Sequence, residues 1–220
     1  MKKIFVAIVL TILLILSIFV MVRLVDDKTT FLPESSTDTT YKNETQINVD
    51  GWLQITKIFE YNGQLALVAE NISDIDVEYA LLTVKNKNDT FTFNISVLLP
   101  GTKGMLICNE AIGFDPDEIY TGWKIENIIE FETKPVQNDD IFELGVADGS
   151  ILIKNISGKD ITSDILIYYK EKNENFLNGN VTHRIRVSGL KADSQTFVKV
   201  DGINGNNCQI IFTEYDDKKV

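Results

Sequence analysis

The sequence predicts an all-β protein in which two tandem antiparallel β-sandwiches follow one N-terminal transmembrane helix. Three observations lead to this fold class. The first is Ile4–Val22, a segment near the N-terminus that contains no charged residue. The second is the turn sequence Asn71-Ile72-Ser73, which recurs 84 residues later as Asn155-Ile156-Ser157. The third is a succession of short apolar runs with strand-like alternation, separated by turns rich in Gly, Asn and Asp.

Residues 1–23 are predicted to form a cytoplasmic stub and an uncleaved transmembrane signal anchor. As a helix, Ile4–Val22 would be about 28 Å long, close to the roughly 30 Å hydrocarbon core of a bilayer. Bulky residues fill its end, and a small-residue cleavage site is missing, although cleavage remains the alternative. Lys2 and Lys3 precede it, which favours an N-terminus inside the cell. The sequence therefore predicts a single-pass cell-membrane protein whose C-terminal domains are extracellular, with Ile4–Val22 in contact with the lipid bilayer.

Residues 24–49 are predicted to be a flexible Ser/Thr-rich stalk, because they lack an apolar period and cannot bury enough surface to fold. The chain beyond the membrane segment is strongly acidic. The whole chain carries a net charge of −11; without Lys2, Lys3 and Arg23 it has 18 basic against 32 acidic residues, a net charge of −14. Such a surface repels phosphate backbones, so no nucleic-acid partner is expected.

Residues 50–134 are predicted to form the first β-sandwich. Asn62-Gly63 lies between alternating runs, and this dipeptide favours a tight hairpin because both residues tolerate positive φ. Phe91–Val97 alternates with a period of two, as a strand with one solvated face does. About six short strands at such turn spacings are typical of an Ig-like sandwich.

Residues 135–140 are predicted to be a linker, and residues 141–220 a second Ig-like sandwich that repeats the first. Asp148-Gly149 supplies a hairpin signal, and the strand after it enters the Asn155 turn. The offset between the repeats is 84 at Asn155 but 91 at Leu190. Seven extra residues therefore fall in the loop 171–180, which is longer than its counterpart in the first repeat.

One strand differs between the repeats in its apolar pattern. At the offset of 84, Ile167 and Tyr169 occupy the positions of the polar Thr83 and Lys85. An apolar face in place of a solvated one is usually covered. We therefore expect Ile167 and Tyr169 to form an interface, either with the first repeat or with a partner protein.

The residues that could carry chemistry are few. Cys108 and Cys208 are either small core residues or a single bridge between the domains, which the extracellular compartment would permit. His183 is the only histidine and is expected on a strand surface, since a zinc site needs further ligands. Asp115–Glu118 is expected to be a solvated acidic turn. No catalytic residue, metal site or cofactor is predicted.

The runs that follow the second hairpin resemble a known group of proteins. Leu152–Ile161, Val181–Val187 and Gly189–Ala192 are similar to segments of membrane-anchored extracellular proteins of low-GC Gram-positive bacteria. Each repeat also resembles FxLYD-type and CARDB-like bacterial β-sandwich modules. The resemblance covers roughly residues 51 to 215 and implies a tandem β-sandwich fold and an extracellular location. Because its motifs are structural turns, it implies no catalytic residues.

Two function classes follow from this sequence. The first is a non-enzymatic protein-binding or scaffold module of the cell envelope, since edges and apolar faces of β-sandwiches bind proteins readily. The alternative is a surface ligand-sensing or carbohydrate-binding receptor, for which an exposed aromatic platform formed by Tyr168, Tyr169 or Phe176 would be needed. A hydrolase would require a pocket that brings His183 together with carboxylates.

Overall fold

The first half of the chain folds into seven strands. The computed structural model describes residues 46–87, 89–115, 119–173 and 176–216. Within these residues, every regular secondary-structure element is a β-strand. The strands of the first half are β1 (Ile47–Val49), β2 (Leu53–Tyr61), β3 (Gln64–Asn71), β4 (Val77–Asn86), β5 (Asp89–Leu98), β6 (Lys103–Ile107) and β7 (Thr121–Glu130).

The second half contributes seven more strands. They are β8 (Phe142–Ala147), β9 (Ser150–Asn155), β10 (Ile161–Asn173), β11 (Phe176–Asn178), β12 (His183–Leu190), β13 (Gln195–Lys199) and β14 (Cys208–Tyr215). The all-β class predicted from the alternating runs is therefore confirmed for the described residues.

The strands form three sheets. The largest runs in the order β1-β2-β3-β6-β11-β10-β12, with β14 paired to β10. The two smaller sheets run β13-β9-β8 and β5-β4-β7. The large sheet thus contains strands of both halves, and its pairings are antiparallel except for β11 with β6. The described residues belong to a single compact unit.

Each half buries its own hydrophobic core between the large sheet and one small sheet. The first core combines residues of β2, β3 and β6 with residues of β4 and β5, among them Leu53, Leu67, Leu82, Phe93 and Leu106. The second combines residues of β10, β12 and β14 with residues of β8 and β9, among them Phe142, Ile153, Ile165, Val187 and Cys208. Burying a large apolar side chain stabilises the fold by about 1.5–3 kcal/mol, so each core contributes substantially.

The repeated Asn turn fixes the same corner in both halves. The Asn71 side-chain amide donates to the Ile75 and Leu98 carbonyls, each at 2.8 Å, and its Oδ1 accepts from the backbone and the hydroxyl of Ser73. Asn155 donates in the same way to Lys159 and Leu190. Both asparagines are fully buried. The turn is therefore folding chemistry, because it pairs backbone groups that the strand ends would otherwise leave unpaired.

Folded structure begins before the predicted boundary at residue 50. Ile47–Val49 forms β1, which pairs with β2 and places Val49 in the first core. A strand this short carries too little alternation to stand out from a polar segment. The remainder of the predicted stalk, residues 24–45, lies outside the described residues, as does the predicted transmembrane segment Ile4–Val22.

Strand β10 is shifted by one residue against the offset of 84. In β4 the first two buried residues, Val77 and Ala80, are separated by two residues. In β10 the equivalent buried residues, Ile161 and Ser163, are separated by only one residue. The pairing of β10 with β12 is irregular at the same place. A slip of one residue moves every later side chain to the other face of a strand.

Candidate functional site

The insertion in the second half joins the two halves. Loop 171–180 contains β11, which pairs with the end of β10 and runs parallel to β6 of the first half. In that parallel pairing Leu177 lies opposite Gly104, and Asn178 lies opposite Met105. The extra residues identified in the sequence thus add a strand to the sheet of the first half, which is strand addition within one chain.

Phe176 fills an apolar patch on the first half. It packs with the cluster formed by Phe59, Ala66, Val68 and Met105, on the face of the sheet opposite the first core. The Lys57 ammonium lies 5.9 Å from the Phe176 ring centroid, within the range of a cation–π contact. Phe176, considered from the sequence as part of an aromatic platform, therefore packs against the first half.

The backbones at this junction approach closely because two glycines face each other. A Cβ on Gly104 would lie 3.0 Å from the Gly179 Cα, and one on Gly179 would lie 3.0 Å from the Met105 carbonyl oxygen. The Gly179 N–H donates to that carbonyl at 2.7 Å, and the Gly179 carbonyl accepts from the Ser96 N–H at 2.8 Å. Side chains at either glycine would push these hydrogen bonds apart.

Asn180 continues the pairing beyond the end of β11. Its Oδ1 accepts from the Ile107 N–H at 2.7 Å, and its Nδ2 donates to the Ile107 carbonyl at 2.9 Å. One amide side chain thus satisfies both backbone groups of Ile107, as a neighbouring strand would.

A buried lysine lies beneath the junction. Lys170 is 2% exposed, and its Nζ donates to the carbonyls of Ser96 at 2.6 Å and of Asn178 at 2.7 Å. Burial lowers the pKa of Lys170 to about 7, because the charged ammonium loses its water. Through these two hydrogen bonds, Lys170 connects β10 with both the first half and strand β11.

The linker between the halves is held by hydrogen bonds and aromatic contacts. The Thr213 N–H donates to the Val136 carbonyl at 3.0 Å, and the Asn138 amide donates to Thr213. The Phe131 ring meets the Phe212 ring edge-to-face, with centroids 5.4 Å apart. Tyr168 stacks on Phe212 at 4.2 Å. The two aromatic contacts connect Phe131 of the first half with Tyr168 of the second half through Phe212.

A groove of about 570 Å³ opens between the halves above these contacts, and we call it the junction groove. It is lined by Glu78, Tyr79, Ser96, Val97, Phe131, Glu132, Thr133, Tyr168, Thr182 and Glu214. Three of these residues are carboxylates, three are aromatic and none is basic. The volume lies within the range of binding pockets in proteins.

The tyrosines of the groove are fixed by hydrogen bonds. The Tyr168 hydroxyl donates to Glu214 at 2.9 Å, and the Tyr79 hydroxyl donates to the side-chain Oδ1 of Asn94 at 3.1 Å. Burial, followed by the neighbouring Glu214 charge, raises the pKa of Tyr168. The rings therefore present a fixed surface of stacked aromatics and carboxylates.

The four residues expected at an interface or on an aromatic platform fall into two pairs. Tyr168 and Phe176 lie at the junction, whereas Ile167 and Tyr169 lie in the second core, at 0% and 6% exposure. The neighbours of Ile167 and Tyr169 in that core come from the second half. The reason is the one-residue slip of β10. Because of it, Ile167 is the structural equivalent of the core residue Val84 in β4, and not of the partly exposed Thr83.

Cys108 and Cys208 are free thiols in different cores, so the bridge considered from the sequence is not formed. A disulfide needs Cα atoms within about 7 Å of each other. Burial raises the pKa of Cys108 to about 12, with a contribution from its hydrogen bond to Glu110, and that of Cys208 to about 11. Protonated and buried thiols of this kind are poor nucleophiles.

His183 lies on β12, as the alternating sequence predicted. Its ring stacks on Tyr169 at 5.1 Å, and its Nε2 lies 3.7 Å from an Oε1 of Glu171. Among the described residues, no group of three His, Cys, Asp or Glu side chains is placed to hold a metal ion. The acidic turn Asp115–Glu118 lies partly outside these residues.

Sequence reasoning did not single out Lys170 or the carboxylates Glu78, Glu132 and Glu214. The groove forms only because the two halves are held side by side, and each of these residues is ordinary within its own strand or connection. The longer loop 171–180 was the available signal. In the portion of the chain that the structure covers, no helix is both long and apolar enough to cross a bilayer.

Comparison with protein-family models, with curated proteins and with solved structures gives no match for this chain. The junction groove is therefore interpreted from its own chemistry. Its lining offers hydrogen-bond acceptors, negative charge and aromatic surface.

Proposed function

We propose that this protein is a membrane-anchored, extracellular, non-enzymatic protein-binding or scaffold module of the cell envelope. Ile4–Val22 supports the anchor by its length and lack of charge. Lys2 and Lys3 support an orientation with the N-terminus inside. In this proposal the chain is one of the membrane-anchored envelope proteins of low-GC Gram-positive bacteria that its turn sequences resemble.

The finer architecture in this proposal is a pair of antiparallel Ig-like sandwiches held as one body outside the membrane. The separate cores of the two halves support it. The parallel pairing of β11 with β6 and the Lys170 hydrogen bonds support a fixed relation between the halves. A fixed relation favours binding, since fewer degrees of freedom are lost when a partner docks.

The junction groove is the observation that carries the proposal. It combines aromatic side chains with carboxylates at the meeting point of the halves, and aromatic residues are enriched where proteins bind one another. Ile129 lies opposite Tyr79 in the pairing of β4 with β7 and adds an exposed apolar side chain beside the groove. A protein surface can contact both features together.

A carbohydrate-binding receptor is the second candidate, and Tyr168 in the groove is the observation that favours it. A sugar platform uses several exposed rings, however, and Tyr168 is the one residue of Tyr168, Tyr169 and Phe176 that lines the groove. Tyr169 is buried in the second core, and Phe176 packs on the first half. The aromatic groups thus support a protein partner better than a sugar platform.

Photo-crosslinking in native membranes tests the binding function. A photoreactive amino acid at Thr133, which lines the groove, should yield a discrete adduct with another envelope protein. The same group at Lys199, an exposed residue on β13, serves as the control and should not yield that adduct. Identical adducts from both positions, or a glycan as the only bound species, would contradict the proposal.

Thiol labelling of intact cells tests the location. Because Cys108 and Cys208 are buried, a Lys199→Cys variant should provide the reactive thiol for a membrane-impermeant maleimide. Labelling before lysis supports an extracellular C-terminal region, and the unsubstituted chain is the control. Labelling that requires lysis would show the opposite orientation.

A further inference from the structure

We propose that the junction groove binds an arginine side chain presented by an extended segment of a partner protein. This inference rests on the proposed protein-binding function and adds the chemistry of the partner. It depends on three features of the groove, which are its charge, its aromatic surface and its continuity with a second groove.

The charge of the groove favours a cation. The Glu78 and Glu132 side chains form no ion pair or hydrogen bond with another residue in the described ranges, and the Glu214 carboxylate accepts only the Tyr168 hydroxyl there. Arg184 and Arg186 line a neighbouring groove that shares Glu214 with the junction groove and also contains Asp164 and Asp216. Three carboxylates around one opening, without a basic residue in the lining, attract a positive group.

The aromatic surface distinguishes arginine from other cations. Tyr168 is held flat against Phe212, with 13° between the two ring planes, and Phe131 stands at 85° to Phe212. A planar guanidinium can stack on such rings while its N–H groups donate to carboxylates in a fork. A lysine ammonium is more strongly hydrated and lacks this planar fit.

The shape of the site favours a chain segment over a free small cation. A second groove of about 410 Å³ shares Thr133 and Glu214 with the junction groove and follows the linker to Asn138. The second groove contains the basic residue Lys134, whose charge disfavours a bound cation there. The junction groove has no basic residue in its lining and is therefore the site for the cation. A peptide could therefore place one arginine in the junction groove while its backbone continues along the linker.

The test uses the full-length chain in mild detergent and a fluorescein-labelled peptide, Gly-Arg-Gly-Arg-Gly, with Gly-Gln-Gly-Gln-Gly as the neutral counterpart. Anisotropy should report binding of the arginine peptide and weaker binding of the glutamine peptide. A Glu78→Gln/Glu132→Gln variant should weaken arginine-peptide binding by about tenfold or more. Both substituted side chains are exposed, so unchanged thermal unfolding of the variant confirms that it is folded.

The control is an Asp148→Asn/Asp193→Asn variant, which changes the net charge by the same amount at exposed turns of the second half. Its peptide affinity should stay within about twofold of the unsubstituted chain, because surface charges remote from the site are screened. Equal weakening in both variants, or none in the Glu78→Gln/Glu132→Gln variant, would overturn the assignment of the groove.

The outcome also separates this inference from the proposed function. If neither peptide binds while the Thr133 cross-link to an envelope protein persists, the arginine specificity is wrong and the binding function stands. If the peptide fails to bind and the cross-link is absent as well, both are overturned. Equal affinity for an equivalent lysine peptide would replace guanidinium recognition by simple charge attraction and so refute the arginine assignment.

Discussion

The two halves use one turn in the same way and diverge in the strand that follows it. Asn71 and Asn155 are equally buried, and each bonds its own turn and the end of a neighbouring strand. The strand after Asn71 has 10 residues, whereas the strand after Asn155 has 13 and leads into β11. The shared part folds each half, and the divergent part joins them, so a change in each part should have a different consequence.

The largest expected effect is the loss of a turn asparagine. Asn71→Ala or Asn155→Ala removes the hydrogen bonds of a fully buried amide and should lower the free energy of unfolding by about 3 kcal/mol or more. If the junction couples the halves, both substitutions should shift the same transition in urea unfolding followed by circular dichroism. Separate transitions for the two halves would show that the junction does not couple them.

The second effect concerns the close approach of backbones at the junction. Gly179→Ala would place a Cβ 3.0 Å from the Met105 carbonyl oxygen and against Leu106, which should cost about 2–3 kcal/mol. It should also separate the unfolding of the two halves. Gly205→Ala is the matched control, since its Cβ would meet nothing closer than 3.8 Å. Equal melting temperatures for the two variants would refute the packing argument.

The third effect is the pH dependence due to Lys170. Unfolded lysine keeps its proton up to about pH 10.4, whereas folded Lys170 loses it near a pKa of about 7. The unfolded state therefore binds more protons between these values, and the free energy of unfolding should rise with pH by up to about 1.4 kcal/mol per pH unit. Above about pH 8.5 the raised thiol pKa values of Cys108 and Cys208 oppose this rise, so pH 7–8.5 is the informative window.

A Lys170→Met variant provides the comparison for that measurement. It should remove this contribution in urea titrations between pH 7 and 8.5, and because the Ser96 and Asn178 carbonyls each lose a donor, its stability at pH 7 should fall by about 1–3 kcal/mol. The same slope in both proteins would mean that Lys170 keeps its charge throughout, stabilised by the Ser96 and Asn178 carbonyls.

The smallest expected effect is the difference in stability loss between alanine substitutions at two phenylalanines of the second half. Phe176→Ala removes a ring that packs on the first half and should cost about 2 kcal/mol. Phe197→Ala removes a ring that is 58% exposed on β13 and should cost less than about 0.5 kcal/mol. Thermal unfolding of both variants measures the difference. Equal losses would mean that the Phe176 contact contributes nothing to the junction.

Much of the fold could be predicted from the sequence because its signals are local. The Asn62-Gly63 hairpin has positive φ at both residues, and the period-two pattern of Phe91–Val97 lies within β5. The slip in β10 could not be predicted, since one residue fewer near Ile161 leaves the apolar pattern plausible in either register. The sequence pattern therefore placed Ile167 and Tyr169 on an outer face of the second half, whereas both residues lie in its hydrophobic core.

The candidate site was less predictable, because it depends on contacts between residues far apart in the chain. Lys170 follows two tyrosines and has the pattern of a solvated strand residue, yet β11 and the first half cover it. The groove carboxylates come from three separate strands or connections. Only the extra length of loop 171–180 indicated where the halves differ.

The parallel pairing of β6 with β11 also bears on the order of synthesis. On a ribosome the residues of the first half emerge before β11 exists, and β6 then ends its sheet with unpaired backbone groups. An open sheet edge is a template for pairing with another chain. A chain that ends before residue 178 would therefore leave this edge of β6 unpaired and open to pairing with another chain.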